Sequence, residues 1–224
     1  MIEVLTAHRL WHSLEQHTLA ASLLVSRDYP WQILGHLCDF IRALGAQLPA
    51  DEYEQVSEAV WVARTAHLAT TVHIDGPTII GHDTELRPGA YIRGGVLVGD
   101  GAVIGNSTEL KNCILFDGVQ VPHFNYVGDS VLGYRAHLGA GAITSNVKSD
   151  HTDVTIRSPF FSIDTGRRKL GAILGDRVEI GCNTVLNPGT VVGRESTVYP
   201  CQSVRGYIEQ GCIWRGPGNV IGKK

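Results

Sequence analysis

From Val62 onward an aliphatic or equivalent apolar residue returns at every sixth position: Val62, Leu68, Ile74, Ile80, Leu86, Ile92, Val98, Ile104, Leu110, Phe116 and Pro122. The residue four places after these is small or β-branched (Ala66, Val72, Thr78, Thr84, Ala90, Val96, Ala102, Thr108), and Gly81, Gly99 and Gly105 directly follow one. A unit of six residues cannot bury its own apolar side. A period sustained this long therefore requires units that stack into a solenoid with a continuous core. The period breaks beyond Pro122, resumes at Leu132 and Leu138, and runs again through Leu174, Ile180, Leu186, Val192, Val198 and Val204.

The flanks behave differently. Residues 1 to 57 lack the period, and Leu10, Leu14, Leu19, Leu23 and Leu24, then Ile33, Leu37, Ile41 and Leu44, recur at near-helical spacing. Two or three short helices are expected, one able to restart at Tyr29-Pro30 because proline suits a first turn. Residues 58 to 206 form the solenoid. Within it, residues 147 to 173 (VKSDHTDVTIRSPFFSIDTGRRKLGAI) break the period and are expected to be an excursion needed for ligand binding but not for folding. Residues 207 to 224 hold too few periodic residues for another coil and are expected to be a tail or cap.

Lys plus Arg total 19 against 22 Asp plus Glu, a net charge of −3, which offers no reason to expect nucleic acid or an anionic membrane as partner. The five cysteines are odd in number, widely spaced and without a CxxC pair, arguing against a disulfide framework or a zinc site. The start lacks the basic and apolar regions of a signal peptide, and no apolar run reaches membrane length, so a cytoplasmic protein is expected. About 55 residues ahead of the repeat, without a glycine-rich phosphate loop, leave no room for a nucleotidylyltransferase domain.

The hexads resemble those of hexapeptide-repeat acyltransferases, which implies a left-handed parallel β-helix whose three hexads make one triangular coil of 18 residues. Residues 18 apart then stack about 4.8 Å apart. The residue after each aliphatic should be small because it turns a corner; the basic exceptions are Arg87, Arg93, Lys111 and His123, beside the acidic Asp75 and Asp117. On this register Arg93 lies under Lys111, and Arg87 shares a column with Gly105 and His123. Two cations about 5 Å apart repel unless an anion such as a phosphate sits between them, or unless water screens both. His123, at a corner where a small residue is expected, is a candidate general base.

The stretch GNSTELKNCILFDGVQVPHFNYVGDSVLGYRAHLGAGAITSN, with DTGRRKLGAILGDRVEIGCNTVLNPGTVVG after it, is similar to the acetyltransferase half of the bifunctional sugar-1-phosphate nucleotidylyltransferase/acetyltransferases, over roughly residues 80 to 205. These include the glucosamine-1-phosphate acetyltransferases and their archaeal-type relatives. The resemblance implies that His123 takes a proton from a sugar amine, that Tyr126, Asn146 and Lys111 contact a sugar phosphate, and that Arg93 on spacing, or Arg87 on its LRPGA wording, joins them. It further implies that Ala140, Cys182 and Arg215 meet acetyl-CoA, with His137 where an asparagine is expected. Thr152 and Thr155 stand where relatives carry lysines, with Lys148 nearby, which points to an altered acceptor. A homotrimer with sites between adjacent chains is implied, and an apolar face on so short a prism calls for such a cover. The reading is an acetyl-CoA-dependent transferase acting on an amino-sugar phosphate or nucleotide sugar. Its alternative is a non-catalytic trimeric scaffold or sugar-phosphate-binding protein. A metal is not expected, since His67, His73 and His82 fall on different faces or corners.

Overall fold

The computed structural model describes residues 1 to 223 and forms a parallel β-helix of three faces, preceded by short helices. The first face stacks Val60–Ala63, Thr78–Ile80, Val96–Val98, the later halves of Glu109–Leu115 and Tyr126–Leu132, Ala172–Leu174, Thr190–Val192 and Tyr207–Ile208. On the second face lie His67–Leu68, Glu85–Leu86, Val103–Asn106, Gln120–His123, His137–Leu138, Glu179–Ile180, Thr197–Val198 and Cys212–Trp214. His73–Asp75, Tyr91–Arg93, the early halves of the two long strands, Ile143–Thr144, Val185–Leu186 and Ser203–Val204 make the third.

The repeat explains these short strands. The sixth-position residues, among them Leu86, Ile104, Leu110, Leu138, Leu174 and Leu186, point inward and are buried as one stack. Threonine serves at the other inward position because its hydroxyl satisfies corner backbone: Thr84 Oγ1 donates to the Gly99 carbonyl at 2.7 Å and accepts the Ala102 amide at 3.1 Å. Corners need small residues where coils touch. A Cβ on Gly105 would lie 1.5 Å from the Pro122 carbonyl oxygen.

The coils are not uniform in length. Val60, Thr78's partner, and Thr78, Val96's partner, are each one 18-residue coil apart, and Leu110 still pairs with Ile92. Cys113, however, pairs with Val96, a separation of 17, and Ser130 pairs with Cys113, again 17. Asn112, at φ +47°, lies opposite both Gly94 and Gly95 and skips one residue. The register therefore breaks at Asn112 rather than beyond Pro122. Leu115 and Val121 take the stacked inward places, while Phe116 packs 5.1 Å from the Trp11 ring. Phe116 and Pro122 extended the six-residue count only because both are apolar.

This shift corrects one column. Gln120 pairs with Val103 and His123 with Asn106, so it is Pro122, not His123, that continues the Arg87 and Gly105 column.

The N-terminal region contains Ala7–Leu10, Leu14–His17, Ala21–Val25 and Leu37–Gly45, with 3₁₀ turns at Glu3–Leu5 and Pro30–Gly35. Tyr53–Ser57 is a strand, antiparallel to Val60–Ala63. The helices lie on the first face. Its outward residues Ile79, Leu97, Ile114, Val131, Ile173 and Val191 are all fully buried. Trp11 Nε1 donates to the Leu174 carbonyl at 2.9 Å, and the buried Asp176 carboxylate accepts the His12 amide at 2.7 Å and the Tyr134 amide at 2.9 Å. The apolar face that the sequence assigned to a neighbouring copy is covered by the chain itself.

Parallel pairing also runs past Gly206: Ile208 pairs with Val192 and Trp214 with Val198, after which Val220–Gly222 folds back antiparallel on Cys212–Trp214 as a cap. Ile208 comes only four positions after Val204, so a six-residue count passes over this coil. The excursion at 147 to 173 holds an antiparallel hairpin of Thr155–Arg157 and Ser162–Asp164. It is not peripheral to folding, since Val154, Ile156 and Leu170 are fully buried and join the core.

Trp11 is 2% exposed and closes the helical cover over Phe116 and Gly133. Trp11→Ala is expected to lower the unfolding free energy by about 3–5 kcal/mol, measured by denaturant titration followed by circular dichroism.

Candidate active site

The corner after the second face carries a ladder of hydrogen bonds from each coil to the one before: Phe124 N–H to the Asn106 carbonyl at 2.8 Å, Gly141 to His123 at 3.0 Å, Asn183 to Ala140 at 2.8 Å, and Cys201 to Cys182 at 2.8 Å. Asn106, His123, Ala140 and Cys182 consequently form one column. His123, Ala140 and Cys182 occupy three successive coils, about 4.8 Å apart each. The 17-residue coil produces this alignment, which an 18-residue register would have missed.

The backbone at His123 is fixed from inside. Asn125, 2% exposed, donates through Nδ2 to the Gly139 and Ala142 carbonyls, both at 2.9 Å, and its Oδ1 accepts the His123 amide at 3.1 Å. Phe124 adopts φ +43° and is 59% exposed beside the exposed His123. The imidazole thus faces solvent on a rigid corner, free to meet a ligand.

A second cluster lies along the third face and its far corner. Lys111 stacks on Arg93, as the register implied, but each cation has its own carboxylate: Arg93 Nη1 is 2.6 Å from Glu109 Oε1, and Lys111 Nζ is 3.9 Å from Asp129 Oδ2. The Glu109 contact holds the Arg93 guanidinium more firmly protonated still. Tyr126 pairs in register with Glu109, and Asn146 Nδ2 donates to Tyr126 Oη at 3.2 Å and to Asp129 Oδ2 at 2.6 Å. A carboxylate only accepts, so of the two amide atoms it is the Asn146 Nδ2 that faces Asp129. Burial pushes the Tyr126 phenol up, opposed in part by the Asn146 hydrogen bond, so it stays protonated at neutral pH with its O–H available to donate.

Asp129 organises this cluster and was missed by sequence reasoning. At 3% exposure and φ +48°, it accepts Asn112 Nδ2 at 2.7 Å and Asn146 Nδ2 at 2.6 Å beside the Lys111 ammonium. Arg167, from the excursion, is half-buried; burial pulls its pKa down and the Asp129 charge opposes that. One carboxylate therefore faces two cations, leaving the neighbourhood net positive. The signal was present in VPHFNYVGDS, where Asp129 sits at a corner, but its partners lie in three other segments.

The remaining residues lie apart. Arg87 is paired with Glu85 at 3.0 Å, on the His123 side of the third face, and not with Lys111. Its guanidinium holds the Glu85 carboxyl below the usual range. His137, on the second face, has Nδ1 2.8 Å from Glu179 Oε2. Arg215 stacks 5.1 Å from the Tyr199 ring, one coil beyond the Gly181 corner, and so continues the column beside that of His123. Among the described residues no three His, Cys, Asp or Glu side chains converge as metal ligands. The 330 Å³ cleft between the N-terminal helices and the last coils, lined by Val4, Arg9, Leu10, Gly193, Tyr207, Glu209 and Gln210, contains none of these groups.

The family model described as GMPPB C-terminal domain matches residues 74 to 196, more than half of the chain and all of both clusters apart from Arg215. The chain belongs to this family. It is 37% identical over 94 residues to a bifunctional sugar-1-phosphate nucleotidylyltransferase/acetyltransferase of Sulfurisphaera tokodaii, covering 42% of this chain and 23% of the relative. To the bifunctional protein GlmU of Methanococcus maripaludis it is 35% identical over 123 residues, covering 53% of this chain and 29% of that one. The chain thus spans less than a third of the length of either relative. Among solved structures, the acetyltransferase domain of PglB from Neisseria gonorrhoeae, in complex with acetyl coenzyme A, aligns at 15% identity and a TM-score of 0.32 over 69% of this chain and 53% of that chain. The relatives match the resemblance carried by residues 80 to 205.

Asp129→Ala leaves the Asn112 and Asn146 amides without their acceptor. It is expected to cost about 1–3 kcal/mol of stability, checked by denaturant titration. Asp129→Gly, which accepts positive φ, should recover part of that loss.

Proposed function

We propose that this chain transfers an acetyl group from acetyl-CoA to the amine of an amino-sugar phosphate or nucleotide sugar, related to glucosamine 1-phosphate. The observation that carries this reading is the column of His123, Ala140 and Cys182 on three successive coils, at one edge of the face whose other edge bears Lys111, Tyr126 and Asn146.

The chemistry follows from that placement. The acceptor nitrogen attacks the thioester carbonyl carbon as His123 takes its proton; a C–N bond forms, the C–S bond breaks, and the proton on His123 becomes available to the departing thiolate. The Ala140 amide makes no hydrogen bond among the described residues and sits one coil from His123, where it can donate to the developing oxyanion. Cys182 and Arg215 lie farther along the same edge, in line to hold the coenzyme. Lys111 and Arg93, with the Tyr126 hydroxyl, suit the acceptor's phosphate, and the Asn146 Oδ1 can accept from a hydroxyl of its sugar, while Arg87 and His137 border the edge as lesser contacts.

Assembly as a homotrimer is part of this proposal. Phe124, 59% exposed, lies beside His123, and Tyr91, 39% exposed, lies on the adjoining third face; both supply apolar surface that a neighbouring copy would cover. A stable monomer at micromolar concentration in sedimentation equilibrium would remove the shared-site element. We place the protein in the cytoplasm, where coenzyme A and sugar phosphates are available; no helix among the described residues is long and apolar enough to cross a membrane.

One observation favours a binding scaffold instead. Arg93 and Lys111 already face carboxylates, and no side chain orients the His123 ring among the described residues. Thiol release from acetyl-CoA, measured against a panel of amino-sugar phosphates and nucleotide sugars, separates the two. Turnover with at least one acceptor supports transfer, and none supports the scaffold.

His123→Ala is expected to reduce turnover by roughly two to four orders of magnitude while acetyl-CoA affinity changes little. Arg93→Ala should raise the acceptor KM more than Arg87→Ala, because Arg93 alone stacks on Lys111. The reverse order in steady-state kinetics would move the phosphate site to the Arg87 corner.

A further inference from the structure

Beyond these clusters, the excursion and the late coils enclose a concavity of about 140 Å³ lined by Lys148, Thr155, Arg157, Pro188, Arg205 and Gly206. Its three cations come from three separate segments: the start of the excursion, the hairpin strand Thr155–Arg157, and the corner after Ser203–Val204. We infer that this concavity is a second anion site, taking a phosphoryl or diphosphate group of a phosphorylated small molecule.

Its backbone is built rather than incidental. Gly206, at φ +75°, has its missing Cβ position 2.2 Å from the Arg157 carbonyl oxygen, so only glycine lets the hairpin approach the last coils there. Gly189, at φ +78°, has its own Cβ position 2.6 Å from Val154 Cγ1, on the other side of Pro188. These two contacts seat the hairpin against the solenoid and bring Arg157 to Arg205. Lys148 is neutralised in part by Asp150 at 3.5 Å, and no carboxylate lies within ion-pair distance of Arg157 or Arg205 among the described residues. Three like charges around one small hollow repel one another unless an anion joins them, and guanidinium groups bind phosphoryl oxygens in forked pairs. The hollow is well below the 300–1,000 Å³ of a complete small-molecule pocket. It therefore holds one charged portion of a larger ligand.

At Lys148, two residues after Asn146, the site borders the acceptor cluster, but its two arginines lie away from Lys111. Arg205 belongs to the same corner column as Lys111, but Gly128, Ser145 and Asn187 intervene. Four coils at about 4.8 Å put them roughly 19 Å apart. The inference stands without the transfer reading, since it depends on charge and shape at the excursion alone.

Isothermal titration of the full chain with pyrophosphate, at fixed ionic strength, tests it. Wild type should bind at millimolar concentration or better, and the double variant Arg157→Gln, Arg205→Gln should bind at least tenfold more weakly. Both side chains are exposed, so folding should survive; circular dichroism checks this, and Arg205→Gln alone serves if the pair does not fold. No binding by wild type, or equal binding by the arginine variants, would overturn the site. Parallel titrations with coenzyme A against 3′-dephospho-coenzyme A, and a nucleoside diphosphate against its nucleoside, identify the source of the anion by which discrimination the arginine variants lose; loss of neither, with pyrophosphate still dependent on the arginines, assigns a free anion.

Discussion

Every coil of this protein must set its amides and carbonyls in line with those of the coils on either side of it. That single requirement ties residue identity to position along the whole solenoid. Strand pairing fixes which side chains stack at about 4.8 Å intervals, and the corners, where no strand pairing exists, are held by one hydrogen bond per coil and by residues that tolerate positive φ, such as Asp83, Asn112, Asp129, Arg135 and Arg177. A change of one residue in coil length is absorbed only at such a corner. Asn112, opposite two glycines, is where it occurs, and every alignment from there to the excursion follows from it.

The fold was legible because burial on a fixed period writes itself into the sequence. Six-residue spacing marked the inward stack, and its end points fell close to the observed strands. What eluded the count were deviations hidden by chemistry of the same kind. Phe116 and Pro122 are apolar and extended a register that had already shifted, whereas Ile208 and Trp214 belong to coils too short for the period. The middle residues of the first face were visible as apolar, yet an exposed patch for a second copy and a surface for the chain's own helices look alike in sequence.

For the candidate site, identity was more legible than geometry. The individual residues His123, Lys111, Tyr126 and Asn146 stood out through their neighbours in the chain. Their grouping did not, because it depends on a skipped residue at Asn112. Asp129 is the clearest case: its carboxylate gathers amides from Asn112 and Asn146, contacts separated along the chain that no local pattern records. The same holds for Arg167, whose half-buried guanidinium reaches this carboxylate's field from the excursion.

The helical cover has a consequence for how the molecule is made. Trp11 donates its indole hydrogen bond to Leu174, 163 residues later in the chain, and His12 is held by Asp176 at a similar separation. Contacts of such sequence distance are slow to form because the chain between them must be ordered first. During synthesis these helices emerge before the coils but have no completed surface to dock on until most of the coils exist. A segment made ahead of the coils it covers is therefore the last to reach its place, and until it does the row from Ile79 to Val191 stands open to water and to neighbouring nascent chains.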